Sequence, residues 1–344
     1  MKNKKFILYI IIAVLLLAIV GYFLVGKAVW SPNFKTKGAN FQLFIPAEAT
    51  IDDIVNVLKD SSVLVNETSF VSVAKFMGYT DDNIRAGRYI IKNDAANREV
   101  ISKLRSGEQD AQKVVINNIR TIYDLSGKAS KYFEADSLSF LSYLTDPSIS
   151  DSYGFNQETF LTMFIPNTYE MFWTATPEKF VKRMKKEYDT FWTAEKISKL
   201  KISNLNQTEA FILASIVEKE SNYDPERPTI AGVYINRLMT GERLRADPTV
   251  VFALGDFTIQ RVLYSHLTFE SPYNTYLHEG LPPGPICMPS ISSLNAVINA
   301  EKHEYMFFCA KADNSGLHAF AKDYDEHLKN AAAFSKWLNS LNIR

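Results

Sequence analysis

An uncharged apolar run from Phe6 to Val25 opens the chain, and beyond it hydrophobic positions recur with the periods of helices and strands. About 20 helical residues rising 1.5 Å each span the roughly 30 Å hydrocarbon core of a bilayer, so the run predicts a transmembrane helix. A cleaved signal peptide would carry an apolar stretch of about 7–15 residues and end in a small-residue cleavage site. Gly26-Lys27-Ala28-Val29-Trp30 is a poor one. Lys2, Lys4 and Lys5 on one side nearly balance Lys27, Lys35 and Lys37 on the other, so charge alone leaves orientation almost tied. Long domains translocate largely regardless of charge, which favours a short cytoplasmic head and a large body outside.

Ser31 to Gly38 is short, polar and turn-rich, and residues 26–38 read as a tether. Phe41 to Ile45 alternates like a strand. Thr50-Ile51-Asp52-Asp53 then opens a helix with Ile51, Ile54, Val55 and Leu58 on one face. A second helix through Val71 to Met77, a short strand Gly87 to Ile91, and a helix Asn97 to Leu104 stopped by Gly107 complete a small α+β module over residues 39–110. From Val114 to about Tyr188 a strand gives way to helical segments broken by Pro166, an aromatic stretch and Pro177. Residues 111–190 are expected to form a connector, and 191–344 a catalytic region. The whole is expected to be α+β: a head at 1–5, a transmembrane helix at 6–25, the module and a C-terminal α+β domain.

Candidate chemistry concentrates between Asn206 and His327. Asn206 with Glu209 makes a capping box, and Ala210 to Val217 is apolar nearly all round, predicting a buried helix. Leu213, Ile216 and Val217 lie at i−7, i−4 and i−3 from Glu220, which aims that carboxyl inward. Glu218, about 200° round the helix from Glu220, cannot share its face. A carboxyl on an apolar stripe has its charged form disfavoured and so becomes a candidate general acid. Two glutamates that merely solvate a helix end would look the same. A loop and a second helix follow, with Ile230, Val233, Tyr234, Arg237 and Leu238 on one face and Gly241 as its stop. Asp247-Pro248-Thr249-Val250 and Ser271 to Tyr276, leading into Gly280 to Ile286, read as rigid turn-rich loops. Tyrosine, asparagine and threonine on such loops suit sugars, although ordinary loop chemistry uses the same residues.

Composition then narrows the function classes. Thirty-eight basic residues balance 38 acidic ones among 344, so no strong positive field points to nucleic acid. Cys287 and Cys309 are too few for a disulfide framework and lack zinc-site spacing, and a single disulfide between them stays open. His266, His278, His303, His318 and His327 form no His-Glu-x-x-His pair, and no Gly-x-Ser-x-Gly elbow occurs, which disfavours a metallopeptidase and a serine hydrolase.

Taken in order, Ala214 to Ser221, Val233 to Leu238, Asp247 to Val250, Tyr273 to Tyr276 and Gly280 to Ile286 resemble the MltG/YceG family of endolytic murein transglycosylases. Tyr305 to Phe308 and His318-Ala319-Phe320 fit the family's closing segment. The chain departs from the family at Arg245-Ala246 and at Cys287-Met288-Pro289-Ser290. The resemblance is close from Asn206 to the C-terminus and looser over the anchor and the small module, which looks like the family's LysM-like subdomain.

This resemblance implies cleavage of the β-1,4 bond between N-acetylmuramic acid and N-acetylglucosamine with formation of 1,6-anhydro ends, ending strand elongation. Glu220 matches the catalytic glutamate. Glu218, Asn236, Asp247, Thr249, Tyr273, Asn274, Thr275, Tyr276 and His318 fall where substrate-binding residues are expected. No metal or other cofactor is implied. The implied partners are peptidoglycan strands, the cytoplasmic membrane as a single-pass anchor and penicillin-binding proteins of the elongation machinery. Two alternatives stay open: a water-using muramidase with Glu226 or Asp247 as second carboxylate, and a non-catalytic wall-binding scaffold.

Overall fold

The computed structural model describes residues 2–259 and 261–340; Met1 of the expected head and residues 341–344 of the expected catalytic region lie outside the described residues. The chain is mixed α and β and forms two compact units. The first takes in the N-terminal residues to Lys113 together with 132–134 and 170–175; the second holds the remainder.

In the first unit, helix α1 (Lys2–Trp30) contains a stretch, Tyr9–Trp30, long and apolar enough to cross a membrane. Its described apolar side chains from Tyr9 to Val25 are exposed to the surroundings. Strand β1 (Phe41–Ile45), helices α2 (Ile51–Asp60) and α3 (Glu67–Phe76), strand β2 (Gly87–Ile91) and helix α4 (Asn97–Ser106) follow. Strands β1 and β2 pair antiparallel, Leu43 opposite Tyr89. Local chemistry sets the helix ends. Thr50 and Asp53 form a reciprocal capping box for α2, Asn66 caps α3, and Gly107 adopts a left-handed φ of 72° to terminate α4. The inward faces of these elements share one core that includes Phe34, Leu43, Leu58, Phe70, Tyr89 and Leu104.

One expectation fails here. The stretch 26–38 is not a free tether: α1 continues to Trp30, and Phe34 is fully buried in the core. Asn33 donates to Asn66 O (2.9 Å) and Asn97 Oδ1 (2.8 Å) and accepts from Asn66 N (2.8 Å), while Asn97 donates to Ala28 O (2.9 Å). A buried amide network of this kind orders a segment whose composition reads as loop, because each buried polar group finds its partner.

The second unit begins within β3 (Gln112–Ile116), which pairs with β4 (Asn167–Met171). Helices α5 (Ile122–Ala129), α6 (Ser137–Leu144) and α7 (Pro147–Ser152) lie between these strands in sequence, and α8 (Pro177–Phe191) and α9 (Ala194–Ile202) follow them. Then come α10 (Gln207–Glu220), α11 (Arg227–Thr240), α12 (Asp247–Leu254), α13 (Ile291–Ile298), the antiparallel hairpin β5 (Phe307–Ala310) and β6 (His318–Ala321), and α14 (Tyr324–Ser340).

Helix α10 is the centre of this unit. Residues Ala210 to Val217 are all buried, and α11, α12 and α13 pack around them. Gly232 lets α11 approach the chain closely, since a Cβ there would meet Glu301 O at 2.4 Å. A second expectation also fails: Asp247-Pro248-Thr249-Val250 is not a loop but the first turn of α12, with proline at the helix start and Asp247 in the first turn. Proline just inside a helix loses no intrahelical bond, so the pair that signals a turn also signals a helix start.

Candidate active site

Glu220 is the last residue of α10 and lines a cleft of about 760 Å³ together with Arg120, Lys219, Asp247, Phe252 and Phe257. The Asn206–Glu209 capping box fixes where α10 begins, and the fully buried Leu213, Ile216 and Val217 fix its rotation, so the half-buried Glu220 emerges at the cleft. Its Oε1 accepts a 2.6 Å hydrogen bond from the hydroxyl of Tyr234, a residue of α11 that is 1% exposed. Burial raises the Glu220 pKa to about 7; the Tyr234 hydrogen bond opposes this, the charge of Asp247 reinforces it, and His318 and Arg237 oppose it. Burial and the neighbouring carboxyl push Tyr234 the other way from ionisation, well above the ordinary tyrosine range, so it remains a donor. A carboxyl that gains and loses a proton near neutrality, held by a fixed donor, suits general acid–base chemistry.

Glu218 belongs to a different site. Its Oε2 accepts from Ser290 N (3.1 Å), Ser290 Oγ (2.6 Å) and Ser293 Oγ (2.6 Å), and Arg227 Nη1 lies at 3.6 Å. Burial acts to raise its pKa, but these hydrogen bonds and the Arg227 charge prevail and hold the carboxyl below its usual range. Glu218 thus ties α10 to the start of α13, where Ser290 is the N-cap.

The other expected site residues divide in two. Asp247 lines the cleft and accepts a 2.6 Å bond from the hydroxyl of Tyr276. Tyr273 packs its ring 4.8 Å from that of Phe252, which lines the cleft. His318 makes a two-point contact with Glu226, Nδ1 to Oε2 and backbone N to Oε1, both 2.7 Å, and acts on the charge of Glu220.

Thr249, Asn274 and Thr275, in contrast, are buried and use their polar groups on the protein. Thr249 Oγ1 bonds Ala246 O (2.7 Å) and meets Thr275 Oγ1 (2.9 Å), while the Asn274 amide donates to Leu267 O and Phe269 O (3.0 and 2.8 Å). Asn236 donates to His303 O and Tyr305 O, both 2.9 Å, and lines a separate pocket with His303 and Met239. These four hold the loops in place, and the structure does not bring them to the cleft beside Glu220.

Comparison with known proteins identifies the family of the chain. The sequence model of the YceG-like family matches residues 43–333. The chain belongs to the YceG-like family. A relative from Bacillus subtilis (strain 168), named endolytic murein transglycosylase, is 30% identical over 95% of this chain and 92% of its own length. Two from Streptococcus pneumoniae with the same name are 24% identical over 96% of the chain, which spans 65% of their length. The crystal structure of a yceG-like protein from Listeria monocytogenes shares 29% identity with a TM-score of 0.55, covering 84% of this chain and 98% of that one.

In this YceG-like chain, sequence reasoning placed Tyr234 on a helix face without giving it a role at the site. A signal existed: a tyrosine on an otherwise apolar face needs a partner for its hydroxyl. Arg120, which comes from a distant segment just before α5, carried no local signal at all.

Proposed function

We propose that this protein is an endolytic peptidoglycan lytic transglycosylase, a lyase that cuts glycan strands between N-acetylmuramic acid and N-acetylglucosamine. The observation that carries the reading is Glu220: a cleft carboxyl, held by the buried Tyr234 hydroxyl, with a pKa raised to about 7. Protonated, Glu220 donates to the departing glycosidic oxygen as the C1–O bond breaks. The resulting carboxylate takes the proton of the muramyl C6 hydroxyl while that oxygen bonds to C1. The product is a 1,6-anhydro end, no water is consumed, and Glu220 finishes protonated, ready for another cycle.

A second reading has one observation in its favour. Asp247 lines the same cleft and could support a water-using muramidase. Glu226, the other candidate, is committed to His318. Mass spectrometry of glycan digested by the purified protein separates the readings: 1,6-anhydromuramyl ends released from within strands support transglycosylation, and dominant reducing muramic acid ends move the protein to the hydrolases.

The same reading treats α1 as a single-pass cytoplasmic-membrane anchor with the N-terminus in the cytoplasm and the body outside. Its exposed apolar side chains support this, because exposed apolar surface on that scale is unfavourable in water. The strand–helix–helix–strand order of β1, α2, α3 and β2 supports a LysM-like module. Penicillin-binding proteins of the elongation machinery are the partners that the family likeness suggests. External protease should digest the body in spheroplasts; protection by an intact membrane would reverse the orientation.

A further inference from the structure

The mechanism uses one carboxyl of the cleft, Glu220, and leaves its cations without a task. Arg120, Lys219 and Arg261 all line it, and among the described residues none of the three forms an ion pair. Ordinary surface lysines and arginines are mobile and solvated, but Arg120 is fixed. Its guanidinium carbon lies 3.4 Å from the ring centroid of Phe257, a cation–π contact that also orients the planar donors. The backbone beneath it is pinned on both sides: Ile119 O accepts from Met288 N at 2.7 Å, Arg120 N donates to Asp124 Oδ2 at 3.2 Å, and Thr121 caps α5.

Lys219 emerges beside Glu220 from the end of a rigid helix. Burial pushes the Cys287 thiol up to about 12, and Lys219 and Arg120, which line the same cleft, both act against that rise. The charges that act most on Glu220 are Asp247, His318 and Arg237 rather than these three. The cations are therefore free to meet a ligand rather than committed to tuning the carboxyl. The cleft lining also includes Phe252, Val251 and Pro248, apolar surface suited to sugar ring faces.

We propose that Arg120, Lys219 and Arg261 form an anion subsite of this cleft that takes a carboxylate carried on the muramyl residue of the strand. The subsite rests on the reading of the protein as a peptidoglycan transglycosylase and adds a charge preference to it. Two sources present that chemistry: a carboxylate of a stem peptide attached to the lactyl arm, or the lactyl carboxylate itself where no peptide is attached. Arg120 supplies the planar fork that pairs with a carboxylate at two points, and Lys219 and Arg261 supply adjustable point charges.

Binding tests this independently of cutting. The full-length chain in detergent, carrying Glu220→Gln so that ligand is not consumed, is titrated with peptide-bearing muramyl oligosaccharides in free-acid form and with the same oligosaccharides amidated. The free-acid form should bind more tightly, and the preference should shrink as salt rises. Arg120→Gln, Lys219→Gln and Arg261→Gln should each reduce the preference by about 1.5- to 5-fold, the range of a partly exposed ion pair, and Arg120→Lys should retain more of it than Arg120→Gln.

Peptide-free strands with exposed lactyl carboxylates test the second source: affinity matching the free-acid form shows that the lactyl carboxylate also fills the subsite, and affinity matching the amidated form confines it to the peptide. Equal affinity for acid and amidated forms of both the peptide-bearing and the peptide-free strands, no measurable binding of either acid form, or a preference that survives all three substitutions together overturns the proposal. A charge preference without anhydro products in the wild type would sink the transglycosylase reading and leave the subsite standing. Anhydro products without a preference would do the reverse.

Discussion

Replacing Glu220 by glutamine should make the protein more stable at alkaline pH, because the native carboxyl is held where its charge is unwelcome. Its ordinary pKa of 4.5 is raised to about 7 in the folded chain, chiefly by burial. A raised carboxyl pKa means that the folded state binds the proton more tightly than the unfolded one. The associated stability is fully present below about pH 4.5 and is lost as pH rises through about 7. Two and a half units at 1.36 kcal/mol each amount to about 3 kcal/mol, an upper bound for a group at a cleft wall.

Glutamine keeps the size and still accepts from Tyr234, but it has no charge to desolvate. The stability difference between variant and wild type should therefore move in favour of Glu220→Gln by up to about 3 kcal/mol between pH 4.5 and pH 8.5. In melting temperature that is roughly 5–10 °C for units of this size. Thermal unfolding of the detergent-solubilised chains across that range measures it, and the other titrating groups cancel in the difference. A difference that stays constant with pH, or a Glu220→Gln chain that loses stability relative to wild type as pH rises, would refute the reasoning.

Two further substitutions report on the neighbours of Glu220. Glu218→Gln should leave turnover measurable while lowering stability by about 1–2 kcal/mol in urea unfolding, since it weakens the bonds to Ser290, Ser293 and Arg227. Tyr234→Phe removes a hydrogen bond that lowers the Glu220 pKa, so the alkaline limb of the pH–rate profile should shift to higher pH; a shift toward lower pH would contradict the assigned role.

Much of this arrangement is legible in the sequence. The Asn206–Glu209 box and the apolar stripe at i−7, i−4 and i−3 suffice to orient Glu220, and the two-residue offset suffices to send Glu218 to different partners, because both depend only on helical geometry within one element. Distant pairings are not legible. Asn33 finds Asn66 and Asn97 only after folding, so a polar stretch that reads as tether becomes core. Asp247-Pro248 suits both a turn and a helix start, and only the packing of the buried Thr249 and Val250 selects the helix. Asn236, Asn274, Thr249 and Thr275 have side chains equally able to bind a sugar or to brace a loop. The positions of neighbouring carbonyls decide, and those are properties of the tertiary structure.

The central claim is that Glu220 is both acid and base, and turnover of a folded Glu220→Gln protein on purified peptidoglycan strands tests it most directly. With folding verified by circular dichroism and glycan binding intact, the rate of strand cleavage should fall by at least about 10²- to 10⁴-fold, the contribution typical of general acid–base catalysis. Cleavage at near the wild-type rate by that protein would contradict the account.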